Sequence, residues 1–269
     1  VGPAPQLLPC GARQLRFAAT GAISHFVRHG FTWADANHSL VQLKYRVYAG
    51  AEVGEQQSSG DYGKGGMPAS IQGGIWHSHL QRLYAKQEPD GNCSFLVQTH
   101  FARDILSSKY GAPETVWSRV DVADSNVTLQ IVMVNKTTTR LPESLHVQFL
   151  PAPSGTDTGM WSVDKLGSWL NISDVVDGGC KHLHGNMEGG IRVDITGRRM
   201  SIAALDAAIA SFGNLTAYPY PIQPQPNTAQ FGASFVLHDN LWGVNCAYKL
   251  CRIVPPLTLQ PVSYQFVDL

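Results

Sequence analysis

The chain has 269 residues, and its 20 Lys and Arg residues balance 20 Asp and Glu residues at an isoelectric point near 7.3. This balance excludes the strongly basic surface typical of proteins that bind nucleic acids or acidic membranes. Hydrophobic residues make up 43% of the chain, but none of their runs is long enough for a membrane span, so we expect a globular protein.

Short segments of β type recur along the chain and are separated by Gly, Pro, Asn and Asp. The predicted strands are residues 14–17, 22–28, 40–48, 94–100, 115–122, 126–134, 144–150, 190–195, 200–204, 231–237 and 260–266. In the segment 126–134, Val127, Leu129, Ile131 and Met133 occupy alternate positions, which is typical of a half-buried strand. This rhythm predicts an all-β, large antiparallel β-sandwich with few short helices. Residues 1–14 are predicted to form a Pro-rich tail and residues 15–269 a single domain.

Charged residues make up 15% of the chain, against about 25% in typical globular proteins. N-linked glycans would compensate for this low surface charge, since the chain carries several Asn-x-Ser/Thr sequons. The predicted acceptors are Asn37, Asn92, Asn126, Asn135, Asn171 and Asn214. Asn and Thr are also common in turns, which is the alternative explanation. The sequons favour a glycoprotein that is secreted or extracellular, with a lysosomal or vacuolar location as the alternative.

The five cysteines are widely spaced and match no zinc-binding pattern. In an oxidising compartment they predict two disulfides and one remaining thiol. The disulfide candidates are Cys93, Cys180, Cys246 and Cys251. Cys10, in the Pro-rich tail, is the candidate for an inter-chain bond or a free thiol, and pairing within the chain is the alternative.

Several segments are similar, in order, to one known protein family. They are residues 21–27, 30–35, 40–45, 61–64, 135–136, 140–145, 161–167, 174–176, 181–184, 205–207 and 237–245. As a set they resemble the carboxy-terminal β-sandwich half of α-mannosidase-like proteins, an uncharacterised group related to family 38 glycoside hydrolases. The resemblance covers residues 15–252, and the sequence departs from the family pattern near Cys246 and Cys251.

The resemblance implies a sandwich of the galactose-mutarotase-like type. It also implies that the zinc ion and the catalytic aspartate of such enzymes lie on a barrel that precedes the sandwich and is not in this chain. We therefore expect no catalytic residue and no cofactor here. By this resemblance the catalytic half is either lost in evolution or carried on a separate polypeptide. The expected partners are a separate catalytic chain or another subunit, bound through the N-terminal tail, and glycans.

Sugar binding by stacking requires exposed aromatic rings beside hydrogen-bonding side chains. The densest such group is predicted around Trp242, and Trp161 with Trp169 forms a second. The predicted carbohydrate-contacting residues are Trp242, His238, Asp239, Asn240, Asn245 and Trp161. Burial of Trp161 and Trp242 in the sandwich core is the alternative.

Two pairs of histidines are spaced for one face of a strand, where they can share a metal ion. They are His77 with His79 and His182 with His184, and either His146 or His238 could supply a third ligand. Packed or hydrogen-bonded histidines are the favoured interpretation, so no metal site is predicted and His182 and His184 remain weak candidates.

A glycosidase site needs two carboxyl groups that flank a sugar. The candidate carboxylates are Asp164, Asp174, Asp177, Glu188, Asp206 and Asp239, and their spacing singles out no pair. The leading hypothesis is therefore a structural or carbohydrate-contacting subunit of an α-mannosidase-like glycosidase. An independent lectin-like or structural glycoprotein and a glycoside hydrolase with its own carboxylate pair are the alternatives.

Overall fold

The computed structural model describes residues 7–11, 13–49, 71–101, 106–137, 139, 141–217, 225–240 and 262–268. Strands β1 to β10 span Leu7–Cys10, Arg13–Phe17, Ile23–Arg28, Phe31–Ala34, Gln42–Val47, Gly74–His77, His79–Gln87, Cys93–His100, Thr115–Val122 and Asn126–Val134. Strands β11 to β19 span Glu143–Phe149, Met160–Lys165, Ser168–Asn171, Leu183–Gly185, Ile191–Ile195, Arg198–Ala204, Ile209–Phe212, Ala233–Asp239 and Val262–Asp268. Single helical turns lie at Ser108–Tyr110 (α1) and Thr228–Phe231 (α2), and a 3-10 turn at Ile172–Asp174.

The strands form three antiparallel sheets. The four-stranded sheet has the order β1-β2-β3-β4, and the six-stranded sheet the order β14-β17-β18-β11-β5-β6. The nine-stranded sheet has the order β13-β12-β15-β16-β19-β10-β9-β8-β7. The predicted all-β, antiparallel class with few short helices is confirmed. In the part of the chain that the structure describes, no helix is long and apolar enough to cross a membrane.

Three hairpins close through a two-residue loop that ends in glycine. The loops are His29-Gly30 between β3 and β4, Leu166-Gly167 between β12 and β13, and Thr196-Gly197 between β15 and β16. Both residues of each loop have positive φ. Type I′ turns require this backbone, and their twist matches that of the flanking strands.

The core lies between the nine-stranded and six-stranded sheets. The Trp161 ring of β12 meets the Phe212 ring of β17 edge to face, with centroids 6.0 Å apart. The four-stranded sheet joins the same core, because the Phe17 ring of β2 lies 5.3 Å from the Phe95 ring of β8. Side chains of all three sheets belong to one hydrophobic cluster.

The cysteine at position 10 belongs to this fold. Cys10, at the end of β1, forms a disulfide with Cys93 at the start of β8, and both residues are buried. The prediction that Cys10 bonds to another chain is therefore wrong, because its sulfur is used inside the chain. The prediction of Cys93 as a disulfide residue is confirmed. Cys246 and Cys251 lie outside the described residues.

The predicted N-terminal tail is partly a strand. Residues 7–10 form β1, which pairs with β2 through Leu7 opposite Arg16 and Cys10 opposite Arg13. The sheet therefore begins within the range 1–14 that was predicted as a tail. Residues 1–6 lie outside the described residues.

Candidate functional site

Three of the predicted carbohydrate-contacting residues, His238, Asp239 and Asn240, lie at the end of β18, but their side chains do not form one group. His238 is opposite the fully buried Leu145, so it faces the core, where burial and the nearby Lys136 lower the pKa of His238 to about 4. The Asn240 amide donates to the carbonyls of Thr139, at 2.6 Å, and Leu141, at 2.9 Å. Asp239 is exposed. Trp242 and Asn245 lie outside the described residues.

Trp161 does not face solvent. Only 2% of the residue is exposed, and its ring packs on Phe212, so its prediction as a sugar-contacting residue is wrong. On the neighbouring strand β13, Trp169 is 36% exposed. The Arg192 guanidinium lies 4.4 Å from the centroid of the Trp169 ring. Alternation along the hairpin places the two tryptophans on opposite faces of the sheet.

The histidine pairs do not share a metal ion within the described residues. No group of three His, Cys, Asp or Glu side chains is arranged there to hold one. His182 and His184 are buried, and His184 Nε2 lies 3.1 Å from the Lys181 carbonyl oxygen. Burial is the largest cause that lowers the pKa of His184. His77 and His79 belong to different sheets, because the chain passes from β6 to β7 at Ser78.

Of the candidate carboxylates, Asp164 has a clear structural role. It is buried, and its oxygens accept hydrogen bonds from the backbone N–H groups of Gly167, at 2.9 Å, and Gly189, at 3.0 Å. Such bonds stabilise the β12–β13 turn and the neighbouring loop. Asp174, Asp177, Glu188 and Asp206 are exposed.

All six sequon asparagines lie in turns or at the ends of strands. Asn37, Asn135 and Asn214 are exposed, and Asn92, Asn126 and Asn171 are half-buried. Their positions outside the core are those that glycan attachment requires.

A buried polar network lies at one end of the core. The Glu143 carboxylate is 2.6 Å from Lys136 Nζ and accepts hydrogen bonds from the hydroxyl groups of Tyr45 and, at 3.2 Å, Thr139. Burial raises the pKa of Glu143 and lowers that of Lys136. The Lys136 and Glu143 side chains are only 7% and 1% exposed, so this network is closed to ligands and joins Lys136 and Thr139 to Glu143.

An aromatic pair, an exposed tyrosine and a half-buried tryptophan, lies on the outer face of the nine-stranded sheet. Tyr84 on β7 and Trp117 on β9 have ring centroids 6.5 Å apart and an angle of 23° between the ring planes. Tyr84 is 49% exposed, and Leu96, opposite Tyr84 on the intervening strand, is 38% exposed. We call this group, Tyr84, Leu96 and Trp117, the aromatic platform.

Hydrogen-bonding side chains surround the aromatic platform. Gln98 lies between Arg82 on β7 and Trp117 on β9, and Arg119 on β9 lies opposite Leu96. These residues share the outer face because directly paired residues point to the same side of a sheet. Arg82 and Arg119 are exposed.

Sequence reasoning missed the aromatic platform. The β7 sequence is largely polar and does not alternate clearly, so it gave no strand prediction. Residues 115–122 were predicted as a strand, and alternation along a strand puts Trp117 on the face opposite Val116 and Ser118. That signal could have identified Trp117 as a surface aromatic residue.

Comparison with known proteins gives only distant likenesses in fold. No protein-family model and no curated protein matches the sequence. Among solved structures, the chain is similar to the Slr1438 protein from Synechocystis sp. PCC 6803, with 10% identity, a TM-score of 0.49, and coverage of 99% of this chain and 96% of that chain. It is also similar to a putative aldose 1-epimerase from Escherichia coli K12, with 9% identity, a TM-score of 0.40 and 99% coverage of both chains. Likenesses this distant do not transfer a function to this chain.

Proposed function

We propose that this chain is a non-catalytic, carbohydrate-contacting β-sandwich of a secreted, N-glycosylated protein, similar to the carboxy-terminal half of an α-mannosidase-like glycosidase. The aromatic platform is the observation that carries this proposal. A contiguous apolar patch that is rimmed by polar side chains is typical of a binding site.

The chemistry of the aromatic platform suits a sugar. The C–H faces of a pyranose ring pack on aromatic rings, while its hydroxyl groups accept from and donate to polar side chains at the rim. Arg82 and Arg119 supply donors beside Tyr84 and Trp117. The platform therefore contacts one or two sugar rings across the strands β7 to β9.

The proposed secretion rests on the disulfide and the sequons. Structural disulfides persist in oxidising compartments, and Cys10–Cys93 is buried between two sheets. Asn37, Asn135 and Asn214 are exposed acceptors whose glycans would offset the low surface charge.

A separate catalytic chain is the proposed partner. Since Cys10 is bonded to Cys93, this association is non-covalent at that position. Size-exclusion chromatography of natively purified material, with mass spectrometry of each polypeptide, tests it. A co-eluting chain with a zinc-binding barrel supports the partner, and elution of this chain alone contradicts it.

The aromatic platform is tested by isothermal titration with neutral oligosaccharides, starting with α-linked mannose oligomers. Trp117→Ala and Tyr84→Ala should each weaken binding about tenfold, because 1.4 kcal/mol corresponds to a factor of ten and loss of one stacked ring removes an energy of this order. Trp169→Ala is the matched control, since it removes a partly exposed tryptophan from the other end of the same sheet. Equal affinities for wild type and Trp117→Ala, or a loss confined to Trp169→Ala, would overturn the assignment.

A further inference from the structure

The outer face of the six-stranded sheet carries a second polar group, on the opposite side of the sandwich from the aromatic platform. Lys44 on β5 lies directly between His77 on β6 and His146 on β11. Arg46 follows two residues later on β5, so its side chain is on the same face. We call Lys44, Arg46 and His77 the basic cluster.

Beside the basic cluster, on β11 and β18 of the same sheet, lie buried and hydrogen-bonded polar side chains. His146 is fully buried, with Nε2 2.8 Å from Ser144 Oγ and Nδ1 3.4 Å from Ser234 Oγ. Burial, Arg46 and Lys44 lower the pKa of His146 to about 3, so this ring is neutral. His146 therefore adds no positive charge beside Lys44.

The Lys44 ammonium group is the unusual feature. Lys44 is half-buried, and its side-chain nitrogen has no hydrogen-bond acceptor and no carboxylate partner among the described residues. Burial lowers the pKa of Lys44, and Lys44 in turn contributes to the lowered pKa of His77. A partly desolvated ammonium group with no partner among the described residues favours a ligand that carries negative charge.

The other charged groups near Lys44 do not neutralise it. Arg46 donates a hydrogen bond to the Leu215 carbonyl, and its guanidinium lies 4.3 Å from the centroid of the Tyr48 ring. Asp239, the described carboxylate on this face, is opposite Ser144, two strands away from Arg46. Among the described side chains of this face, the groups next to Lys44 are therefore basic or neutral, and His77 is exposed at the rim.

We propose that the basic cluster binds an oxyanion, in which Lys44 donates to one oxygen and Arg46 and His77 complete the site. Carboxylate, sulfate and phosphate groups share this chemistry, and each occurs on acidic sugars. The site is independent of the neutral-sugar platform, because the two lie on opposite outer faces.

The test is isothermal titration of the full chain with sodium sulfate, sodium phosphate and sodium glucuronate, each at constant ionic strength in chloride. Lys44→Met should weaken binding of the preferred anion at least tenfold. Lys86→Met is the matched control, because Lys86 is an exposed lysine of the other sheet that is paired with Glu88 at 2.6 Å. The anion that binds best identifies a sulfated, phosphorylated or uronic acid ligand.

A second measurement separates a binding role from a structural one. Without added oxyanion, Lys44→Met should unfold at the same temperature as wild type or higher, since it removes a partly desolvated charge that has no partner among the described residues. Sulfate or the preferred anion should raise the unfolding temperature of wild type and of Trp117→Ala, but not of Lys44→Met. Lack of binding by all three anions, or equal binding by wild type and Lys44→Met, would overturn the proposal.

Protonation of His77 provides a further readout. A bound anion favours the protonated ring, so binding should strengthen as the pH falls from 7.5 to 5.5. In the described part of the chain, the charged and titratable groups that face this position are Lys44, Arg46 and His146, and His79 follows on β7. In His77→Gln, the affinity for the anion should depend less on pH but should still fall when Lys44 is replaced. An unchanged pH dependence of the affinity would show that His77 is not part of the site.

Discussion

The sulfur atoms of Cys10 and Cys93 join two sheets, across a sequence separation of 83 residues. A cross-link that closes a loop of this length stabilises the folded state by about 4 kcal/mol, through loss of freedom in the unfolded chain. We expect Cys10→Ser/Cys93→Ser to lower the free energy of unfolding in urea by that order. The double variant should unfold at the same urea concentration with and without a reductant that opens this bond in wild type.

Peptide mapping checks the same bond directly. Alkylation without reduction, followed by protease digestion and mass spectrometry, should give a peptide pair that contains Cys10 and Cys93. A peptide that links Cys10 to another polypeptide would contradict the structure and restore the inter-chain bond.

Much of the fold follows from local sequence patterns. Every predicted strand overlaps an observed one, and β9 and β10 have the predicted bounds, because their core residues alternate without interruption. Strand β7 was missed, since Leu80 is its one buried residue among the described positions of that strand. Strands β12 and β13 were missed because the Leu166-Gly167 turn was not recognised as a hairpin loop.

The functional surfaces were harder to predict. Trp161 and Trp169 are close in sequence, but only the pairing of β12 with β13 decides which one enters the core. The aromatic platform and the basic cluster each combine strands that are distant in sequence, such as β5 with β11. Composition and motif spacing contain no information on such long-range pairing.

The pair Lys136–Glu143 gives a prediction on stability. Glu143→Gln leaves the Lys136 ammonium group buried without a counter-charge, and breaking a buried pair in this way costs about 3–5 kcal/mol. In urea unfolding, the double variant Lys136→Met/Glu143→Gln should lose less free energy of unfolding than the two single variants lose together. Additive losses would show that the two side chains are not coupled.

Two histidines with lowered pKa values, the buried His146 and the half-buried His238, predict a loss of stability in acid. The folded-state pKa is about 3 for His146 and about 4 for His238, below the unfolded value of 6.5. Below pH 6.5 the unfolded chain binds protons that the folded chain does not, so the free energy of unfolding falls with pH. Each of these histidines should lower the free energy of unfolding by about 2 kcal/mol at pH 5 relative to pH 7.5.

Urea unfolding at several pH values measures this effect. His146→Gln and His238→Gln should each reduce the loss between pH 7.5 and 5 by about 2 kcal/mol. His29→Asn, in the exposed turn between β3 and β4, is the control and should keep the wild-type slope. If His146→Gln and His238→Gln both keep the wild-type dependence of the free energy of unfolding on pH, neither histidine causes the loss of stability in acid.

Gly190 and Gly197 form a matched pair for backbone strain at the two ends of β15. Both have positive φ, at 72° and 74°. A Cβ at Gly190 would lie 2.0 Å from the Ile202 carbonyl oxygen, whereas one at Gly197 would meet nothing within 4 Å. We expect Gly197→Ala to cost about 1 kcal/mol, from the left-handed conformation alone. Gly190→Ala should cost about 3 kcal/mol or more, because the β16 backbone must also move. If both variants lose the same free energy of unfolding in urea, the β16 backbone moves away from residue 190 at no cost, and the close contact adds nothing to the strain.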